Sequence, residues 1–105
     1  MTKSSAVPLH TPWTSPELPA GSAILRLLTA EGLTATLWSN APYDSYPVHS
    51  HHYHKVLYVL FGSITFGVAG EQITLNPGDR LDLPKGILHD ARVGQAGVVC
   101  LEAQK

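Results

Sequence analysis

Turn-forming residues interrupt this chain at short, near-regular intervals: Ala30-Glu31-Gly32, Gly62-Ser63, Gly70, Asn76-Pro77-Gly78-Asp79 and Pro84-Lys85-Gly86. Between them lie segments rich in Val, Ile, Leu, Thr and aromatic residues, the composition of strands. Asn76-Pro77-Gly78-Asp79 has Pro and Gly at the two central positions, the type II signature. Gly62-Ser63 has Gly at the first central position of a two-residue hairpin loop. The reading predicts β-structure over residues 24–29, 33–39, 55–61, 64–69, 72–75, 80–83, 89–93 and 98–103. No window holds a helical period over three turns. Short strands with tight turns at such spacing predict an all-β sandwich or barrel.

Length and composition set the other bounds. The 105 residues suit one domain, and 44% hydrophobic with 14% charged residues is too apolar for a disordered chain. Residues 1–22 carry Pro8, Pro12, Pro16 and Pro19, which exclude a regular helix or central strand there. They are expected to form an extended arm on the barrel or on a partner subunit, with the barrel itself spanning 23–105. The seven basic residues are scattered and the net charge is −1, so no nucleic-acid stripe exists. No apolar run approaches a membrane span, and no apolar stretch follows Lys3. The single Cys100 excludes an internal disulfide framework. A cytoplasmic location is expected.

Of six histidines, four fall between residues 49 and 54. Alternation on a continuous strand puts His49, His51 and Lys55 on one face and His52 and His54 on the other. Two histidines at i and i+2 on a strand reach one ion, and His89 is the other histidine within the strand region. His54 is a reserve candidate if a bulge turns it inward. His10 reads as a solvated residue of the arm, and Cys100 as core packing.

These segments resemble the cupin family. His49-x-His51-x3-Lys55-x6-Gly62 is similar to the first cupin motif, and Gly78-x5-Pro84-x-Gly86-x2-His89 to the second. The resemblance covers roughly residues 43–93. It implies a double-stranded β-helix, or jelly-roll, barrel with His49, His51 and His89 as ligands of a divalent transition metal: Zn, Fe, Ni, Cu or Mn. The chain departs from the pattern at three positions. Tyr43 stands where the family opens with Gly, Val93 where it closes with Asn, and Lys55 where it has an acidic ligand.

The expected inward face is His49, His51, Lys55, Leu57, Val59, Ile64, Phe66, Leu81, Leu83 and His89, an apolar pocket with one polar cluster. No carboxylate is expected to point into it. Asp82, Asp90 and Arg92 are placed outside. Lys55 is expected not to ligate the metal: it bends toward the mouth, or loses its proton and serves as the acid/base group. The resulting expectation is a metal-dependent isomerase, lyase or oxygenase acting on a sugar or organic acid. The alternative is a non-catalytic ligand-binding module, metal-free, with Lys55 contacting an anion. Strand 55–61 is apolar on both faces, so its outer face is expected to meet the arm or a second subunit in a homodimer.

Overall fold

The computed structural model describes residues 8–105; residues 1–7, part of the expected arm, lie outside the described residues. In chain order the elements are β1 (Leu9–Thr11), α1 (Gly21–Ala30), β2 (Thr36–Asn40), β3 (Ser45–His49), β4 (Lys55–Val68), β5 (Glu71–Leu75), β6 (Arg80–Leu83) and β7 (His89–Gln104). All strand pairs are antiparallel, in the order β1-β6-β4-β7-β2, with β3 on β7 and β5 on β4.

The two long strands, β4 and β7, run against each other from Lys55↔Gln104 to Val68↔His89. Each serves two layers. The first half of β4 pairs with β6 and with the second half of β7, which continues to β2. The second half of β4 pairs with β5 and with the first half of β7, which continues to β3. The two layers are the walls of the jelly-roll. Leu57, Val59, Ile64, Phe66, Leu81 and Leu83 are buried between them with Leu75, Val93, Val98 and Cys100. Burial pushes the Cys100 thiol up to about 12, so it behaves as a small apolar group.

The predicted hairpin at Gly62-Ser63 is not a hairpin. β4 continues through it without reversing, and the irregularity lies in its ladder with β7, where Gly62↔Val98 is followed by Ile64↔Val93. Residues 94–97 bulge out of β7 at that point. Gly62 has φ +76°, and a Cβ there would fall inside the carbonyl of Gly97. Gly thus bends the strand between layers instead of reversing it. The other predicted reversals form. Ala69 and Gly70 both have positive φ between β4 and β5. The Asp79 N–H donates to the Asn76 carbonyl at 2.9 Å, closing the turn before β6.

Residues 24–29, predicted as a strand, are helical. Ala23, Ile24, Leu25, Arg26, Leu27 and Leu28 include strong helix formers, and Ile24 and Leu28 stand one above the other at i, i+4. The apolar stripe was blurred by Leu25 and Leu27, which remain 45% exposed. Gly32 is the helix C′ residue: its N–H donates to Thr29 at 2.9 Å, and the Leu33 N–H to Leu28 at 3.0 Å, the Schellman pair.

This helix changes the account of the outer face. Ile24 and Leu28 pack on Val56, Tyr58, Leu101 and Ala103. The face expected to need the arm or a second subunit is covered by α1, so the argument for a dimer through that face lapses. Arg80 holds the helix end to the barrel. Its guanidinium bonds both Glu31 carboxylate oxygens and Asp82, and lies 5.5 Å from the centre of the Tyr58 ring. Burial alone would raise Asp82, but the Arg80 and His54 hydrogen bonds outweigh it and hold the carboxyl below the usual range.

Within the arm, β1 pairs with β6. His10, expected to be solvated, is half-buried and bonds Asp79 at 3.2 Å. The Trp13 N–H donates to the same carboxylate at 2.9 Å.

Tyr43, where the family places Gly, has φ +63° and is 67% exposed. The left-handed backbone is kept without the residue that tolerates it, at a strain of roughly 1–2 kcal/mol. Two substitutions therefore have opposite expected signs. Tyr43→Gly raises stability by up to about 1 kcal/mol, since glycine's unfolded-state entropy offsets part of the relieved strain. Gly62→Ala lowers it by at least about 2 kcal/mol through strain and clash together. Urea denaturation midpoints of the two variants against wild type check both.

Candidate metal centre

The site is assembled from both layers. His49 is the last residue of β3 and pairs with His89, the first residue of β7. His51 lies in the irregular stretch 50–54, not on a strand continuous with Lys55 as the alternation argument assumed. That stretch is fixed by backbone bonds: the Gly86 N–H donates to the His51 carbonyl, and the Lys105 N–H to the His54 carbonyl, each at 2.8 Å. The Pro84-Lys85-Gly86 turn of the second motif therefore anchors His51 of the first.

The three candidate ligands converge. One ring nitrogen from each of His49, His51 and His89 lies within 4.8 Å of the others. Two are oriented by main chain. Nδ1–H of His49 donates to the Pro47 carbonyl at 2.7 Å, and Nδ1–H of His89 to the Ile87 carbonyl at 2.9 Å. A carbonyl only accepts, so in each neutral ring the proton sits on Nδ1 and Nε2 keeps its lone pair. Nε2 of His51 and Nε2 of His89 are buried with no hydrogen-bond partner. Buried polar atoms are ordinarily paired, and two such unpartnered nitrogens in one cluster suit a cation ligated by imidazole. Burial, then the nearby Lys55 and neighbouring histidines, lowers His51 from its ordinary value. Burial likewise lowers His89, against a smaller opposing effect of the Ile87 bond. The neutral ring is the form that ligates.

The other histidines are elsewhere. His52 is exposed. His54, the reserve candidate, points to the outer face and bonds Asp82 at 2.9 Å, which removes it from the site.

The expectation that no carboxylate enters the cavity is overturned. Glu102, on the inner face of β7, lines it. Its Oε1 accepts from Lys55 Nζ at 3.1 Å and from Trp38 Nε1 at 2.9 Å. The signal was present: Val98 and Cys100 face inward, and the same parity carries on to Glu102. The Lys55 ammonium is thus turned to a carboxylate on the neighbouring strand. The cavity measures about 320 Å³ and is walled by Trp38, Ile64, Phe66 and Ala91, with Tyr46 and Asn40 toward the mouth. The Tyr46 hydroxyl bonds the Asn40 side chain.

Residues 36–101 match the cupin domain family, and the chain belongs to that family. Comparison with curated proteins gives no match. Among solved structures, KdgF from Halomonas sp. is 25% identical with a TM-score of 0.58, over 70% of this chain and 69% of that one. An RmlC-like cupin from Shewanella frigidimarina NCIMB 400 is 25% identical with a TM-score of 0.61, over 69% and 64%. The DMSP lyase DddQ from Ruegeria pomeroyi DSS-3 is 26% identical with a TM-score of 0.63, over 70% of this chain but 38% of the lyase. No helix among the described residues is long and apolar enough to cross a membrane.

The depressed histidines give the metal-free protein a pH dependence. Below the ordinary value of 6.5, unfolded His51 and His89 take up protons that the folded site resists. Their contribution to stability is present above that pH and lost as pH falls below it. Asp79 and Asp82, held below 3.8, act only at more acid pH. The urea midpoint of chelator-treated protein is expected to fall between about pH 7.5 and 5.5, and less so in His89→Phe. A wild-type midpoint that stays level over this range contradicts the assignment.

Proposed function

We propose that this chain is a metal-binding cupin whose barrel holds one divalent transition metal ion through His49, His51 and His89 and acts on a small molecule, a sugar or organic acid. The observation that carries the reading is the pair of buried, unpartnered Nε2 atoms in a cluster of three imidazoles. Imidazole ligands suit Zn, Fe, Ni or Cu, while Mn prefers oxygen donors, which here water or the bound molecule would have to supply. Such an ion would supply Lewis-acid polarisation of a substrate oxygen or activation of a bound water.

The chain's own residues do the rest. The Nδ1 bonds to Pro47 and Ile87 fix two ring orientations. The apolar walls limit water around the ligand. Lys55, named from the sequence as the acid/base group, enters the reading as one half of a pair with Glu102, since the carboxylate accepts its N–H directly. The two members can exchange and hold a proton beside the ligand. A lyase activity is favoured by the similarity to the DMSP lyase. The metal-free reading, with Lys55 contacting an anion, loses ground because Glu102 already occupies that cation.

Purified protein is expected to retain close to one equivalent of transition metal by elemental analysis, and His51→Ala to lose most of it. Adding the metal back should raise the thermal midpoint of stripped wild type, by the linkage of binding to folding, and not that of the variant. Equal metal content in the two proteins overturns the ligand assignment.

A further inference from the structure

We propose that the Lys55–Glu102 ion pair sets the ligand class of the cavity: the metal-loaded site takes a small anion with two adjacent oxygen donors, such as a 2-hydroxy- or 2-oxo-carboxylate. This rests on the metal reading above and narrows it from sugar or organic acid to the latter.

The argument is one of charge. Among the described residues, Lys55 and Glu102 are the only charged ones lining the cavity. They sit in one wall, Lys55 at the start of β4 and Glu102 near the end of β7, and both are largely buried, at 12% and 21% side-chain exposure. The carboxylate is already engaged. Its Oε1 takes the Lys55 ammonium at 3.1 Å and the Trp38 indole N–H at 2.9 Å. The pair sums to zero and the three ligands are imidazoles. A divalent ion on them therefore keeps its whole charge, with no protein carboxylate free to offset it. Uncompensated charge is costly in a partly enclosed, apolar-walled space. A bound anion provides the compensation. Three protein ligands leave open positions on the ion, and a chelating pair of oxygens can fill two of them. A neutral polyol could hydrogen-bond Ser39, Asn40 or Tyr46 of the lining but supplies no charge to offset the ion. A volume of about 320 Å³ suits an acid of a few carbons.

The test uses Zn²⁺ as the metal and oxalate, acetate and ethylene glycol as probes. Zinc affinity is measured by competition with a chelator, and probe affinity by calorimetry on zinc-loaded and zinc-free protein. Oxalate is expected to bind the loaded wild type at least about tenfold tighter than acetate, while ethylene glycol and zinc-free protein give no binding. Lys55→Met leaves Glu102 unpaired, so zinc should bind tighter and oxalate weaker, each by on the order of tenfold. Glu102→Gln leaves Lys55 unpaired but keeps an acceptor for Trp38, and should move both affinities the opposite way. The double variant should bring both back toward wild type. A merely structural role would weaken zinc and oxalate together in each variant. If Glu102→Gln does not fold, the opposed shifts in Lys55→Met alone decide. Failure of wild type to bind zinc removes the metal reading and this inference with it. Zinc binding with oxalate no better than ethylene glycol, or with both affinities moving in the same direction, removes the inference and leaves the metal reading standing.

Discussion

The ladder between β4 and β7 is the contact on which the rest of the molecule depends. These two strands are long enough to belong to both walls, and their pairing runs unbroken in direction from Lys55↔Gln104 to Val68↔His89. Every other strand attaches to one of them or, in the case of β1, to β6 at the edge. The bend that lets one strand serve two walls is local. It needs Gly62 in a left-handed conformation and four bulged residues in β7. Without it the strands would make one flat sheet with an apolar face and no interior. With it, His89 at one end of β7 and Glu102 near the other end face a common cavity.

The cavity combines two kinds of polar group, and the fold treats them differently. The histidines are fixed by main chain. Pro47 and Ile87 take the Nδ1 protons, and the Gly86 bond ties down the stretch that bears His51. This leaves Nε2 of His49 and of His89 without protons, and Nε2 of His89 is buried with no partner. That arrangement is unfavourable unless a cation fills the space, because buried acceptors without donors forfeit their hydration. Lys55 and Glu102 satisfy each other, with Trp38 as a third partner. In the proposed metal site, Glu102 offsets the charge of the lysine that occupies the family's acidic position. A protonated lysine without Glu102 would oppose a divalent ion at short range in a poorly solvated space.

The outer surface shows the same economy of packing. The apolar outer positions of β4 and β7 are covered by a ten-residue helix that buries only Ile24 and Leu28 completely. So short a helix is marginal alone. It is held at its end by the Arg80–Glu31 pair and by its glycine cap. Asp82, on the same face, receives both Arg80 and His54, which keeps His54 away from the site.

By itself the sequence determined the parts governed by local chemistry. Turn residues marked the reversals at Gly70, at Asn76 to Asp79 and at Pro84 to Gly86, because only certain residues adopt those backbone angles cheaply. Alternation marked Leu57, Val59, Ile64, Phe66, Leu81 and Leu83 as interior, because the strand period is two whatever the partner. The motif spacing singled out His49, His51 and His89. Tertiary structure decided what depends on partners far along the chain. Residues 24–29 carry enough apolar side chains for either a strand or a helix, and the uncovered face of β4 and β7 selected the helix. Gly62 suits a hairpin or a bulge, and its pairing with Val98 selected the bulge. Glu102 shares the inward parity of Val98 and Cys100, but its pairing with the Lys55 ammonium on the neighbouring strand was decided by the register of β4 and β7. In each of these the local free energies of the alternatives lie close together, so long-range burial and charge pairing made the choice.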